Sequence, residues 1–292
     1  MRHCQAVVLA LVAGALGGGC VGQPQRPAPL FDARRSFGGP DGDDVVQIDV
    51  AVLERPAGDR YVNHDLWELA DEQGVNLERK PVLEDNGFRV CQIGGLPPAG
   101  LQGLLASPRS NPDPRQVRLH AGTPNAVPLG PPRDHCHFEL KQEDRALPAD
   151  LEQAQCLVEV VPALAEDGRI LLRFTPHVKH GKPVLGPQPR HDPAGTLRWE
   201  LETNQPDEAY PWLSWDLTVA PNEYVVVGTR LDRPGTLGHC CFLHAEGRPP
   251  VQRLLVIRTA RAPGRPALDE SLSRSPPLAL QAGWNSARGS SQ

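Results

Sequence analysis

The chain has 292 residues, including 32 prolines and 28 glycines, and carries a formal net charge of −5 with both signs interspersed. The lack of a basic block argues against a nucleic-acid partner, and the proline and glycine content excludes a largely helical protein. Because aromatic residues make up only 5% of the chain, we expect a core of valine, leucine and isoleucine.

The first segment has the pattern of a secretory signal peptide. A basic start at Arg2 precedes an apolar run, residues 6–16, that is too short to cross a bilayer as a helix. Cys20 follows small residues and resembles the lipobox cysteine of bacterial lipoproteins, which is acylated. We therefore predict a signal peptide over 1–19, lipidation at Cys20 and a flexible tether over 20–44. Plain cleavage without lipidation is the alternative.

Residues 45–134 are predicted to form a small mixed α/β part. Alternating valine and isoleucine positions open it with a strand. A helix is predicted next, capped by Asn63 and ended by Gly74 in the left-handed region. A turn at Asn86 and the following glycine is predicted to introduce a second strand. The sequence PPAGLQGLLAS, residues 97–107, then indicates a short helix that begins after Pro98.

Residues 135–262 are predicted to form an antiparallel β domain. Several runs have strand length and β-branched or aromatic content, namely HCHFEL, AQCLVEVVPAL, GRILLRFTPHV, TLRWELE, WLSWDLTVA, EYVVVGTR and QRLLVIRTA. Turns at 166–168 (Glu-Asp-Gly) and 221–222 (Pro-Asn) are predicted to join neighbouring runs as hairpins with one apolar face. Residues 263–292, rich in proline, serine and arginine, are predicted to be disordered.

Histidines and cysteines cluster at two places and raise the question of a metal site. Zinc binds four nitrogen or sulfur ligands tetrahedrally. The candidate ligands are weak ones: His135, His137, His239, Cys241 and His244. Their spacing matches no standard zinc finger, and strand alternation turns the cysteine between the first two histidines away from them. We therefore favour buried cysteines and loop histidines, and we predict no metal or other cofactor.

Cysteine pairing is left open by the sequence. An exported compartment permits disulfides. A bond from Cys91, Cys136 or Cys156 to Cys240 or Cys241 is possible, but no spacing favours one pair.

Motifs for the common catalytic sites are absent, including G-x-S-x-G, H-E-x-x-H and phosphate-binding loops. We therefore predict that the chain is not an enzyme. Trp199, Trp212 and Trp215 could form a surface for stacking on sugars, although core or sheet-face positions are the commoner use of such residues. The alternatives are thus a periplasmic carbohydrate- or ligand-binding lipoprotein and, less favoured, a His/Cys metal-dependent enzyme.

Residues 155–176 resemble the secretin signature, in which a strand ending in Val-x-Pro meets an Asp-Gly turn and a second strand of alternating apolar residues. The runs LTVAPNEYVVVG and LLVIRTAR are similar to later secretin strands, and VVQIDVAVLE is similar to the strand that opens the secretin core. These pieces keep the family's order over residues 45–262.

The resemblance implies an α+β, β-rich fold with an antiparallel secretin-like sheet domain. Secretin subunits assemble into an outer-membrane ring that passes folded proteins, filaments or phage. We therefore expect an exported, lipid-anchored outer-membrane protein facing the periplasm, which acts in an envelope export complex. Its strand edges would pair with copies of itself or with another envelope β protein. The predicted assembly surface consists of Trp215, Leu217, Val219, Val225 and Val227.

Overall fold

A computed structural model of the chain describes residues 44–142, 145–191, 196–244 and 249–261. The predicted signal peptide, Cys20, the predicted tail and all but one residue of the predicted tether lie outside these ranges. None of the helices within them is long and apolar enough to cross a membrane.

The described residues form mainly strands, which confirms the predicted β-rich α+β class with antiparallel sheets. The strands are β1 (Val45–Pro56), β2 (Phe88–Ile93), β3 (Arg115–His120), β4 (Asn125–Pro128), β5 (Arg133–Gln142), β6 (Arg145–Leu164), β7 (Ile170–Lys179), β8 (Val184–His191), β9 (Leu197–Asn204), β10 (Asp207–Ala209), β11 (Trp215–Val219), β12 (Tyr224–Thr229), β13 (Leu243–His244) and β14 (Val251–Arg261). The helices are α1 (Leu66–Glu68), which continues a π-helical turn (Tyr61–Asp65), α2 (Arg79–Asp85), α3 (Ala99–Ala106) and α4 (Leu237–Phe242), with a 3-10 turn (Pro211–Leu213).

These strands form two sheets and a separate ribbon. The first sheet has the order β2-β12-β14-β1-β3, and β13 adds to the end of β14. The second sheet has the order β10-β7-β6-β4, with β11 also beside β7 and β5 beside β6. Strands β8 and β9 pair with each other as the β8–β9 ribbon. All of these strand pairs are antiparallel.

The main core lies between the two sheets, and a second core lies between the first sheet and the helices α1 and α3. Alternation along β14 supplies both cores: Leu255 and Ile257 enter the main core, whereas Leu254 and Val256 face the helices. Burial of each such side chain stabilises the fold by about 1.5–3 kcal/mol. The central strands are therefore apolar on both faces.

The helix predicted to run from Asn63 to Gly74 is shorter than expected, because α1 ends at Glu68. Asn63 lies inside the π-helical turn, where its amide donates to the Asp59 carbonyl at 2.7 Å instead of capping a helix. Beyond α1 the backbone joins the edge of β2 through a bridge at Asp71, so it leaves the helical path before the predicted glycine stop.

The two predicted hairpins have different outcomes. The turn at 166–168 joins β6 to β7, and Gly168 has a φ of +81°, so this prediction is confirmed. The hairpin predicted at 221–222 is wrong, because β11 pairs with β7 in the second sheet while β12 lies between β2 and β14 in the first. Asn222, with a φ of +69°, carries the chain from one sheet to the other. Strand β12 is buried on both faces, which a two-stranded hairpin could not achieve.

The predicted division into residues 45–134 and 135–262 falls inside one folded unit. Strands β1, β2 and β3 come from the first part, yet they share a sheet with β12 and β14 from the second part. The short helix predicted after Pro98 is confirmed as α3. Helix α2 and strand β8 were not predicted.

Candidate functional site

The five residues predicted to form an assembly surface lie inside the protein. Trp215, Leu217 and Val219 of β11, and Val225 and Val227 of β12, are at most 2% exposed. All five belong to the core between the two sheets. The prediction of an assembly surface at these positions is therefore wrong for this fold. Their apolar faces are satisfied by the opposite sheet of the same chain.

The three tryptophans considered for carbohydrate stacking occupy different surroundings. Trp215 is buried, and its ring stacks on Phe174 with centroids 5.1 Å apart. Trp212 is partly buried and packs against the main core. Trp199 is 66% exposed and lies on β9, in the separate ribbon. They do not present three aromatic faces to solvent.

The β8–β9 ribbon carries an exposed apolar face. Pro187 lies opposite Leu201 and Pro189 lies opposite Trp199, so these four residues share one face. Because side chains alternate between the two faces of a strand, Leu185 and Leu197 lie on this face as well. The apolar ribbon face thus consists of Leu185, Pro187, Pro189, Leu197, Trp199 and Leu201. Its leucines and tryptophan are between 49% and 70% exposed, which is unusual for so many large apolar side chains on one surface.

The opposite face of the ribbon carries polar side chains, and its two edges differ in their capacity to bind a further strand. Gln188, Arg198 and Glu200 lie on the opposite face, which is mainly polar although the exposed Val184 lies at its end. Along the edges, Pro187 and Pro189 have no N–H groups, so β8 is poorly suited to accept another strand. Strand β9 contains no proline and, within the described part of the chain, pairs with β8 alone. Its outer edge therefore retains donors and acceptors for a further strand.

The base of the ribbon is attached to the second sheet. The chain leaves β7 at Lys179 and returns through β10, which pairs with β7. The Gly181 N–H donates to the Glu152 carbonyl at 2.7 Å, and the Gln205 amide donates to the Gly181 carbonyl at 2.8 Å. The first bond attaches the ribbon to β6, and the second joins the two ends of the ribbon to each other. The apolar ribbon face is thus attached at its base to the second sheet.

Four buried cysteines gather where β5, β6 and α4 meet. Cys136 of β5 and Cys240 of α4 form a disulfide, which is one of the pairs that the sequence left open. The sulfur atoms of Cys136, Cys156 and Cys240 lie within 4.8 Å of one another. Cys156 and Cys241 are free thiols. A hydrogen bond with Cys241 lowers the pKa of Cys156, whereas burial raises the pKa of Cys241.

The weak candidates for metal ligands do not converge within the described ranges. His135 and His137 are exposed on the outer side of β5, because alternation turns the intervening cysteine inward. His239 and His244 are half-buried, and burial, with the charge of a neighbouring arginine, lowers the pKa of His239. Cys241 is buried within the cysteine cluster. Two sulfurs of that cluster are joined in the disulfide and cannot act as thiolate ligands in this form.

A groove of about 390 Å³ lies on the side of the first sheet that carries α3. Its lining includes the Asp49–Arg258 ion pair, Tyr224 and Val256. Asn111 also lines it, and its Oδ1 atom has no hydrogen-bond partner among the described residues. None of the three tryptophans considered for sugar stacking contributes to this groove.

Comparison with solved structures finds similarity to the secretin InvG of the Salmonella SPI-1 injectisome. The β-barrel secretin domain of InvG aligns at 10% identity and a TM-score of 0.24, covering 79% of this chain and 66% of that one. A cryo-EM structure of InvG aligns at 12% identity and a TM-score of 0.20, covering 78% of this chain and 66% of that chain. TM-scores of this size do not establish a shared fold. No protein-family model and no curated protein matches the chain.

Proposed function

We propose that this chain is a non-enzymatic outer-membrane lipoprotein with a divergent secretin-like domain, and that it is a structural or assembly component of an envelope protein-export complex. The observation that carries the proposal is the apolar ribbon face. Large apolar side chains that remain exposed together on one strand pair are typical of a surface that a partner covers.

A second copy of the chain is the partner that β9 fits best. In an antiparallel pairing of two β9 strands centred on Trp199, Leu197 faces the partner's Leu201. Such a pairing is two-fold symmetric, so both copies use the same surface. It creates a four-stranded sheet with one continuous apolar face.

The prolines of β8 limit how far this sheet can grow. Pro187 and Pro189 would lie on both outer edges of the four-stranded sheet, where they cannot donate hydrogen bonds to an incoming strand. Lateral growth therefore stops at two copies. The apolar face of the pair is then available to pack against another β protein of the envelope.

We propose that attachment to the membrane depends on acylation of Cys20, whose segment lies outside the described residues. A diacylated cysteine holds a protein at a bilayer far more firmly than one acyl chain does. Replacement of Cys20 by serine is expected to move the protein from the outer-membrane fraction to the soluble periplasmic fraction. Retention of the serine variant in the membrane fraction would count against the anchor.

The test of self-association compares two lysine substitutions in the ribbon. Leu201→Lys places a charge on the apolar ribbon face, whereas Gln188→Lys places the same charge on the polar face. In light scattering of the purified chain in mild detergent, we expect the wild type and Gln188→Lys to be dimers. We expect Leu201→Lys to dissociate at least about tenfold more readily, which corresponds to about 1.4 kcal/mol.

Two results would refute the proposed role of the ribbon. The first is a wild-type chain that stays monomeric at high concentration in detergent. The second is an equal loss of association in both lysine variants, because that result would assign the effect to added charge alone. Co-purification of other envelope β proteins with the wild type, and their loss with Leu201→Lys, would connect self-association to the export complex.

A further inference from the structure

The cysteine cluster places a free thiol beside an existing disulfide. The Cys156 sulfur lies within 4.8 Å of both sulfurs of the Cys136–Cys240 bond, and all three residues are buried. A disulfide bond is about 2.05 Å long, so exchange requires the Cys156 side chain to move toward the disulfide. A thiol in this position is a potential nucleophile toward the disulfide.

The surroundings of Cys156 lower the pKa of its thiol. A hydrogen bond with Cys241 is the largest influence that lowers its pKa, and the guanidinium groups of Arg133 and Arg253 lower it further, against the opposing effect of burial. Arg133 also donates to the Cys240 sulfur at 3.8 Å. Positive charge at this point stabilises the negative charge that three sulfurs share during exchange.

Helix α4 contacts both of the strands that carry the other two cysteines. It packs against both β5, which carries Cys136, and β6, which carries Cys156. Cys240 on α4 can therefore meet either strand. Cys136 and Cys156 lie on neighbouring strands of one antiparallel pair, in which Cys136 is opposite Leu151.

We propose that Cys136, Cys156 and Cys240 form an internal thiol–disulfide exchange site, in which Cys240 pairs alternately with Cys136 and with Cys156. The Cys156 thiolate attacks the Cys240 sulfur and forms a Cys156–Cys240 bond. The Cys136–Cys240 bond breaks, and its electron pair leaves on the Cys136 sulfur, which takes up the proton that Cys156 released. One disulfide and two thiols are present before and after, so no external oxidant or reductant is consumed.

Exchange moves the covalent link of α4 from β5 to β6. Cys136 then becomes a free thiol, and β5 is held to α4 by noncovalent contacts, among them the hydrogen bond from the Glu139 N–H to the Gly235 carbonyl at 2.7 Å. The site therefore regulates whether α4 is linked covalently to β5 or to β6. This inference does not depend on the proposed function of the ribbon.

Mass spectrometry of tryptic peptides identifies which cysteines are joined by a disulfide. Trypsin separates the sulfurs onto three peptides: 134–141 contains Cys136, 146–169 contains Cys156, and 231–253 contains Cys240 and Cys241. The folded chain, purified without reductant, is quenched in acid, alkylated with N-ethylmaleimide, digested and analysed by mass spectrometry. In Cys136→Ser, we expect a link between 146–169 and 231–253 and a complete loss of alkylation at Cys156.

Wild-type protein provides a second measurement that does not depend on the folding of the serine variant. After incubation at mildly alkaline pH without oxidant, we expect peptide 231–253 linked to 134–141 in some molecules and to 146–169 in others. The Cys241→Ser variant should retain both links. The control Cys91→Ser, which alters a buried cysteine in the other core, should leave the map unchanged.

The inference is overturned if Cys156 is fully alkylated in both the wild type and a folded Cys136→Ser variant. It is also overturned if Cys241→Ser abolishes the link to peptide 146–169, because Cys241 would then be the partner of Cys156.

Discussion

The indole ring of Trp215 lies parallel to the phenyl ring of Phe174, with centroids 5.1 Å apart and an angle of 6° between the ring planes. The two residues are directly opposite each other on β11 and β7. This cross-strand pair fixes β11 to the second sheet, although the next strand along the chain belongs to the first. The pair is therefore part of the core and not of a surface.

Replacement of Trp215 by alanine is expected to lower the free energy of unfolding by about 3–5 kcal/mol, because a large cavity opens between the two sheets. The matched change Trp199→Ala, in the exposed ribbon, is expected to change that free energy by less than about 0.5 kcal/mol. Urea titration followed by circular dichroism measures both values. Similar losses in the two variants would show that Trp199 is also packed in the folded chain.

Asn86 connects α2 to β5, and its removal should be strongly destabilising. The side chain is fully buried, its amide donates to the Val82 and Lys141 carbonyls at 2.9 and 2.8 Å, and its Oδ1 atom accepts from the Lys141 N–H at 2.8 Å. We expect Asn86→Ala to lower the free energy of unfolding by about 2–4 kcal/mol, since backbone groups of Lys141 lose their partners. The exposed Asn76, which accepts one bond from the Glu78 N–H, is the control.

For Asn76→Ala we expect a loss of about 1 kcal/mol or less, because water replaces the lost bond. Thermal unfolding monitored by circular dichroism distinguishes the two variants. If Asn86→Ala unfolds at the same temperature as Asn76→Ala, the connection between α2 and β5 does not contribute to stability.

Two helical glycines should respond to alanine in opposite directions. A Cβ atom at Gly238 of α4 would lie 2.5 Å from the backbone of Gly87, which cannot move aside as a side chain could. We expect Gly238→Ala to lower the free energy of unfolding by about 2–3 kcal/mol. At Gly103 of α3 a Cβ atom would meet nothing within 4 Å, so alanine should raise that free energy by about 0.5–1 kcal/mol.

Urea titration of the two variants measures this difference in sign. A stabilising effect of Gly238→Ala would mean that α4 is farther from the turn before β2 than the structure places it. A destabilising effect of Gly103→Ala would mean that the exposed side of α3 is covered in solution.

The sequence predicts only some features of the cysteine cluster and of the β8–β9 ribbon. Alternation correctly turns Cys136 away from His135 and His137, since this depends on a single strand. The choice of Cys240 as its partner depends on the docking of a helix 104 residues further along the chain. Likewise, the run around Trp199 is readily recognised as a strand, but its alternating pattern does not reveal whether the apolar face meets a core or solvent.

The amino-acid sequence by itself determined most strands, the tight turn before β7 and the helix α3, because these depend on side-chain periodicity and on glycine and proline within a few residues. Only the tertiary structure decided that β11 and β12 enter different sheets, that the parts before and after residue 134 share one core, and that the ribbon remains exposed. Strand partners are chosen by contacts between residues far apart in the chain. An apolar strand face has the same local pattern whichever sheet, solvent or partner it finally meets.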